Sequence, residues 1–133
     1  MVIKSKKIRS EISAGELLDK ISILEIKLEK IEDKKNREEI KKEYKILKEI
    51  QNSSIKFDDK IKELFNSIKV VNIRLWNVED ELRVCEKNKD FGKNFIELAR
   101  EVYFNNDKRA KIKSEINKIL GSNIREVKQY VNY

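Results

Sequence analysis

The sequence contains no proline and no histidine, and only three glycines and one cysteine in 133 residues. A single cysteine, Cys85, cannot form an internal disulfide, which excludes a disulfide-stapled secreted scaffold. Without histidine, neither the usual zinc sites nor Ser-His and Cys-His nucleophilic machinery can be assembled. No apolar run approaches the ~20 residues that span a bilayer, and the start of the chain lacks the apolar core of a signal peptide. We therefore expect a cytoplasmic protein that does not associate with membranes.

Apolar residues recur three and four positions apart along most of the chain, which is the periodicity of amphipathic helices. Ser13 and Glu16 form a capping box, in which Ser13 caps a backbone amide and Glu16 reaches back. The apolar positions of the first helix are Leu17, Ile21, Leu24, Leu28 and Ile31. A second stretch follows a polar interruption and carries Ile40, Tyr44, Leu47 and Ile50. The two stretches form either an antiparallel hairpin or one continuous helix.

The third helix is the longest and begins at Asp58 or Asp59. Its apolar positions repeat without a fault and are Ile61, Leu64, Ile68, Val71, Leu75, Val78, Leu82 and Cys85. A fourth segment carries Phe95, Leu98, Ala99 and Val102, and a last apolar set is Ile112, Ile116, Ile119 and Leu120. Between these two sets, residues 105–107 either cap a separate fifth helix or lie within one long helix. Gly121 is a natural C-cap.

These patterns predict an all-α fold, an antiparallel four- or five-helix bundle with one long central helix. We expect a single domain over residues 1–133, with a basic arm at 1–12 and a polar tail at 122–133 that packs only through Ile124, Val127 and Tyr130. The row of apolar positions along the third helix is called its apolar seam. Because this helix is longer than its neighbours, part of the seam is free to pair with a second copy. The sequence therefore predicts a homodimer, and a monomeric mass in light scattering at micromolar concentration would count against it.

The formal net charge is +7, from 31 Lys and Arg against 24 Asp and Glu. The one local excess is at the start, where Lys4, Lys6, Lys7 and Arg9 precede any acid. Four cations make only a weak, salt-sensitive contact with phosphates, and no aromatic side chain is interleaved with them for stacking. We therefore treat nucleic-acid binding through this arm as a minor hypothesis.

One stripe of the third helix is polar and lies beside the apolar seam. Asn72, Trp76, Glu79 and Arg83 are spaced four, three and four apart, and Asp80 adjoins them. The simple interpretation is that Trp76 packs at the edge of the core and that Glu79 and Arg83 form an exposed ion pair worth ~0.2–0.5 kcal/mol. The functional interpretation is a binding face, in which the indole supplies a flat surface and the polar neighbours fix orientation.

Two further polar groups flank other helices. Lys20 lies beside the seam of the first helix, and the C-terminal half carries Asn106, Asp107, Arg109 and Lys113. If the helices bring these groups to the stripe, the cleft suits an anionic or polyhydroxylated ligand, since arginine binds carboxylates and phosphates bidentately. The alternative is that they form separate solvated faces.

Catalysis is a weaker hypothesis. All-α nucleoside-triphosphate pyrophosphohydrolases hold magnesium with Glu-x-x-Glu followed by Glu-x-x-Asp, and here the two motifs occur in reverse order, at 16–19 and 29–32. A magnesium site that uses Glu79 and Asp80 is chemically feasible. Cys85 occupies a core position and is expected to be a small buried hydrophobe.

Three blocks of the sequence have a specific pattern: GELLDKISILEIK at 15–27, LWNVEDELR at 75–83, and FIELAREVY at 95–103 with Asn106, Asp107 and Arg109 after it. They resemble a small bacterial family of domains of unknown function over about residues 12–130. The resemblance implies an all-helical domain and a link to bacterial surface-polysaccharide or glycosyl-transfer functions, and it implies no reaction. The same blocks contain most of the polar residues singled out above, whose positions the packing of an apolar core does not explain.

The leading hypothesis is a non-enzymatic helical protein that binds a small polar or anionic ligand, or a protein partner, through the face that carries Trp76. No cofactor is predicted, and no catalytic residue is assigned. The first alternative is a small carboxylate-based enzyme, with or without magnesium, that acts on a nucleotide or nucleotide sugar. The second alternative is a weak nucleic-acid binder that uses the basic arm.

Overall fold

The computed structural model describes residues 6–133, which form four α-helices and no β-strand. The helices are α1 (Ala14–Lys30), α2 (Lys34–Ser54), α3 (Asp59–Lys87) and α4 (Lys93–Leu120). The all-α prediction is therefore confirmed over this range. The first two stretches are separate helices, and residues 105–107 lie inside α4, so there is no fifth helix in the described chain. Of the basic arm, Lys4 lies outside the described residues.

The helix ends follow local sequence signals. Ser13 caps α1 by accepting a hydrogen bond from the amide of Glu16 at 3.1 Å, and Asp58 caps α3 by accepting one from the amide of Ile61 at 3.0 Å. Gly121 ends α4 in the left-handed conformation, with φ of 61°, where a side chain would be strained. Glu16 does not serve the capping box, because its carboxylate contacts Lys113 of α4 instead.

The apolar side chains form two clusters of buried residues. The first joins the start of α3 to α1 and to the end of α4, and its members are Leu17, Leu18, Ile21, Ile61, Leu64, Phe65 and Ile116. The second lies between the end of α3 and the start of α4, and its members are Val78, Cys85 and Leu98. Cys85 is thus the buried hydrophobe that the sequence predicts. The seam of α3 is buried or half-buried along its whole length within one chain.

The beginning of α1 lies directly against the end of α4. The amide of Gly15 donates to Asn117 Oδ1 at 2.6 Å, and the amide of Ala14 donates to Ser122 Oγ at 3.2 Å. These contacts satisfy first-turn amides that have no partner within the helix. A Cβ at Gly15 would lie 2.6 Å from the carbonyl oxygen of Lys113, so only glycine allows the two backbones to approach this closely.

The second helix packs on α1. The Tyr44 hydroxyl donates to Glu25 at 3.0 Å, and the Arg37 guanidinium donates to the carbonyl of Ile31 at 2.9 Å. Burial and the hydrogen bond to Glu25 raise the pKa of the Tyr44 hydroxyl. Glu25 also accepts from Lys69 of α3 at 3.1 Å, so this carboxylate joins three helices. None of the helices in the described chain is long and apolar enough to cross a bilayer.

The expected packing of the tail is wrong. Val127 and Tyr130 are 89% and 70% exposed, and Ile124 is also exposed, as is Ile119 at the end of α4. Individual contacts hold the tail instead: Glu126 pairs with Lys113 at 3.1 Å, the Tyr133 hydroxyl donates to Asp107, and the Tyr133 ring packs on Tyr103 and Phe104. The tail sequence has too few apolar residues at helical spacing to bury a continuous face.

Candidate functional site

A groove of about 490 Å³ lies where α1, α3 and α4 meet, and we call it the Trp76 groove. Its lining residues are Ile23, Ile26, Asn72, Leu75, Trp76, Glu79, Asp80, Arg83, Val102, Asn106 and Arg109. One wall is the polar stripe of α3, the facing wall comes from α4, and α1 supplies two isoleucines. The groove therefore has an apolar floor with polar groups from two helices around it, the usual composition of a small-molecule site.

The groove brings together seven of the ten residues that the sequence singles out. They are Asn72, Trp76, Glu79, Asp80 and Arg83 from α3 and Asn106 and Arg109 from α4. The other three lie elsewhere. Lys20 is exposed on α1 and lies 4.0 Å from Glu16, Asp107 bonds the hydroxyl of Tyr133, and Lys113 is buried beneath the tail. The sequence left open whether these polar groups share one cleft: Asn106 and Arg109 join the stripe of α3 in the groove, whereas Lys20, Asp107 and Lys113 lie outside it.

Arg109 is the best-positioned polar group of the groove. Its guanidinium donates to Asn106 Oδ1 at 2.7 Å and to Asn72 Oδ1 at 3.2 Å. Within residues 6–133, no carboxylate lies within 4.0 Å of this half-buried cation. Two neutral amides thus fix the orientation of the guanidinium, and the remaining N–H donors and the positive charge are available to a ligand.

Asn72 is buried and links Arg109 to the interior. Its Nδ2 donates to Asp19 Oδ1 and to Ser22 Oγ, each at 2.8 Å, while its Oδ1 accepts from Arg109. Every hydrogen-bonding atom of the amide is therefore used, and the side chain has one orientation. Asn72 acts as a rigid support for Arg109, with little surface of its own for a ligand.

The network ends at Lys113, which does not line the groove. The Lys113 ammonium lies 2.8 Å from Glu16, 3.1 Å from Glu126 and 3.8 Å from the buried Asp19. Burial lowers the pKa of Lys113, but the hydrogen bonds to Glu16 and Glu126 outweigh it and raise the pKa above the ordinary lysine value. The hydrogen bond from Lys113 in turn lowers the pKa of Glu126.

We expect the stability of the fold to decline at both ends of the pH scale because of this cluster. Because the pKa of Glu126 is lowered in the folded state, this residue stabilises the fold at pH values above its ordinary pKa of 4.5. The stabilisation is lost as the pH falls through the folded-state pKa. Because the pKa of Lys113 is raised in the folded state, this residue stabilises the fold fully at pH values below its ordinary pKa of 10.5. The stabilisation is lost as the pH rises through the folded-state pKa. Urea denaturation from pH 3 to 11 measures this, and Lys113→Met should flatten the alkaline decline. An unchanged alkaline decline in Lys113→Met would contradict the assignment.

Four network residues were not among the predicted site residues: Glu16, Asp19, Ser22 and Glu126. Asp19 and Ser22 are buried, on the face of α1 that also carries Leu18 and Ile26. The available signal was a carboxylate and a hydroxyl three residues apart on a helix face that also carries Leu18 and Ile26, because such groups require partners when buried. That signal would have indicated a buried polar contact but not its partner.

Glu79 and Asp80 are the two carboxylates that line the groove. In the described part of the chain, no three acidic or cysteine side chains are grouped so that they could hold a metal ion. Glu79 pairs with Arg83, and both side chains are exposed, which matches the simple interpretation of this pair. Glu79 and Asp80 therefore lack a third carboxylate ligand within residues 6–133.

The chain matches a protein-family model. The family model described as "Family of unknown function (DUF6165)" matches residues 8–133, nearly the whole chain. No curated protein and no solved structure matches. The resemblance stated from the sequence blocks is thus confirmed at the level of an uncharacterised family, and the function is unknown. The chain belongs to DUF6165, a family of unknown function.

Proposed function

We propose that this protein binds a small ligand that carries one anionic group, and that it does so in the Trp76 groove without catalysing a reaction. The observation that carries the proposal is Arg109, a half-buried guanidinium held by two amide oxygens with no carboxylate partner in the described chain. Partial burial makes an unpaired charge costly, and a ligand anion would compensate it. The support from buried Asn72 means that the donor geometry exists before the ligand arrives.

The charges around the groove select among anions. Arg83 and Arg109 supply two positive charges, and Glu79 and Asp80 supply two negative charges. A ligand with several phosphates would meet these carboxylates at close range, whereas a ligand with one carboxylate and several hydroxyls would find acceptors in them. The half-buried Trp76 offers a flat apolar surface against which a sugar or planar ring packs. A polyhydroxylated monoanion, such as a uronic acid, fits best.

We also propose several broader features. Antiparallel packing of α3 and α4 is supported by ion pairs between Lys60 and Glu115 near one end and between Arg74 and Glu101 further along. A single domain with α3 at its centre is supported by its share in both apolar clusters. A cytoplasmic location and a link to surface-polysaccharide metabolism remain predictions. The homodimer also remains a prediction, although the seam of α3 from which it was argued is covered within one chain.

Titration of the intrinsic fluorescence tests the ligand, because Trp76 is the only tryptophan and lines the groove. We expect glucuronate to change the emission in a saturable way, glucose to bind more weakly, and UDP-glucose to bind no better than glucose. Arg109→Gln should weaken glucuronate binding at least ten-fold, since hydrogen bonds to charged groups contribute about 1.5–3 kcal/mol and each ten-fold is about 1.4 kcal/mol.

The matched control is Arg74→Gln, which removes an arginine that pairs with Glu101 outside the groove. It should leave the glucuronate affinity within two-fold of the original value. A magnesium titration in a thermal-shift assay, with and without UDP-glucose, tests the enzymatic alternative, and we expect no stabilisation. Stabilisation by magnesium that Glu79→Gln abolishes would favour the enzyme. In the fluorescence titration, an equal loss of glucuronate affinity in Arg109→Gln and Arg74→Gln would refute the proposed contact between Arg109 and the ligand anion.

A further inference from the structure

A second groove, which we call the tail groove, lies between α4 and the C-terminal tail. Its volume is about 780 Å³, and its main lining residues are Phe104, Lys108, Lys111, Lys128, Tyr130 and Tyr133. It shares no lining residue with the Trp76 groove. Three lysines and three aromatic rings from two segments of the chain thus face one open concave surface.

The charge of the tail groove is positive. Lys108 and Lys111 have no carboxylate within 4.0 Å in the described chain, and Lys128 lies 3.5 Å from Glu126, which also pairs with Lys113. The one acidic lining residue is Asp107, whose carboxylate accepts the hydrogen bond from the Tyr133 hydroxyl. The groove therefore presents cations with few internal partners, and it accounts for part of the net positive charge of the chain.

The aromatic rings are arranged so that one ring is available. Tyr103, Phe104 and Tyr133 pack against one another with ring centroids 4.8–5.5 Å apart, which fixes the end of the tail on α4. Tyr130 is 70% exposed and has no ring partner among residues 6–133, although it lines the same groove. An exposed tyrosine in a groove that is also lined by lysines has an open face on which a base can stack.

We propose that the tail groove binds single-stranded nucleic acid, with backbone phosphates at Lys108, Lys111 and Lys128 and an unpaired base on Tyr130. Single strands combine the two features that the groove matches, a regular line of phosphates and exposed base faces. Duplexes hide those faces within the base-pair stack, and free phosphate offers nothing to Tyr130. The basic arm lacks interleaved aromatic residues, so the tail groove is the better candidate for this chemistry.

Fluorescence anisotropy with a labelled oligo-dT of about ten nucleotides, within the usual range of site sizes, tests the proposal. We expect a dissociation constant of about 1–100 µM near physiological salt, typical of contacts without sequence preference. Three phosphate contacts predict an affinity loss of about 20-fold when salt rises from about 50 to about 200 mM. A duplex of the same length should bind more weakly.

Matched variants distinguish binding in the tail groove from nonspecific attraction to the positive charge of the protein. The double substitution Lys108→Gln and Lys111→Gln should weaken binding at least ten-fold and make the salt dependence shallower. The control is Lys41→Gln with Lys45→Gln, an equal charge change at exposed positions of α2, which should leave the affinity within two-fold. Tyr130→Leu should weaken single-strand binding about five-fold or more, because base stacking is lost. Tyr130 has no hydrogen bond or ring contact in the described structure, so circular dichroism should show an unchanged fold.

Four results would overturn the proposal. They are no binding at low salt, an α2 control that weakens binding as much as the groove variant, loss of binding on deletion of residues 1–9, and no effect of Tyr130→Leu. Inorganic polyphosphate is a further probe, since it carries the charge of a nucleic acid without bases. Stronger binding of polyphosphate than of oligo-dT would assign the groove to another polyanion.

Discussion

Gly15→Ala is expected to destabilise the fold by about 2 kcal/mol, a large share of the total stability of a domain of this size. The added Cβ would lie 2.6 Å from the carbonyl oxygen of Lys113 and 3.0 Å from both the Lys113 Cα and Asn117 Oδ1. These are mostly backbone atoms, so α1 and α4 have to move apart. The movement also strains the hydrogen bond from the Gly15 amide to Asn117.

Opposing effects decide the sign of this prediction. Alanine favours a helix over glycine by about 1 kcal/mol, which would stabilise the variant if space were available. Overpacking costs about 1–3 kcal/mol, and a buried amide left without its partner costs about 1–3 kcal/mol more. The sum of the costs exceeds the gain, so destabilisation is the expected net result.

Urea denaturation measures the effect, and Gly92→Ala is the matched control. Gly92 precedes α4 with φ of −80°, and a Cβ there would meet only Asp90 Oδ1 at 3.4 Å, an ordinary contact. We expect this control to change the stability by less than about 1 kcal/mol. If Gly15→Ala is as stable as Gly92→Ala, α1 and α4 do not approach each other as closely as the structure indicates.

Lys113→Met is expected to cost about 3 kcal/mol of folding stability. Removing one partner of a buried ion pair typically costs about 3–5 kcal/mol, because a charge is left in the interior without compensation. Here the charge left without a cationic partner is Asp19, which is 4% exposed and keeps only its hydrogen bond from Asn72. Glu16 and Glu126 are partly solvated and regain water, so the lower end of the range applies.

A second substitution in the same chain tests this explanation. Asp19→Asn in the Lys113→Met background removes the buried charge, and its side-chain oxygen can still accept from Asn72, so at least about 1.5 kcal/mol should return. The control is Lys20→Met, because Lys20 is exposed and pairs with Glu16 only at 4.0 Å; it should cost less than about 0.5 kcal/mol. Equal stabilities of the Lys113→Met chain with and without Asp19→Asn would show that the cost is not electrostatic.

The sequence alone determines where the helices lie along the chain and which residues lie on the same face of one helix. Ser13, Asp58 and Gly121 mark helix ends through interactions with backbone atoms a few residues away. The polar stripe from Asn72 to Arg83 lies on one side of α3 because each residue turns the helix by about 100°. Local geometry therefore also explains why five predicted site residues of α3 line one groove.

Contacts between helices required the tertiary structure, because they depend on the relative position of segments far apart in the sequence. Arg109 and Lys113 are one turn apart on α4, yet Arg109 contacts Asn72 in the groove and Lys113 contacts Glu16 beneath the tail. The close approach of α1 at Gly15 determines this difference, since it places the start of α1 beside Lys113. Periodicity specifies which face of a helix is buried, but the fit of the side chains across the interface determines which partner each polar residue meets.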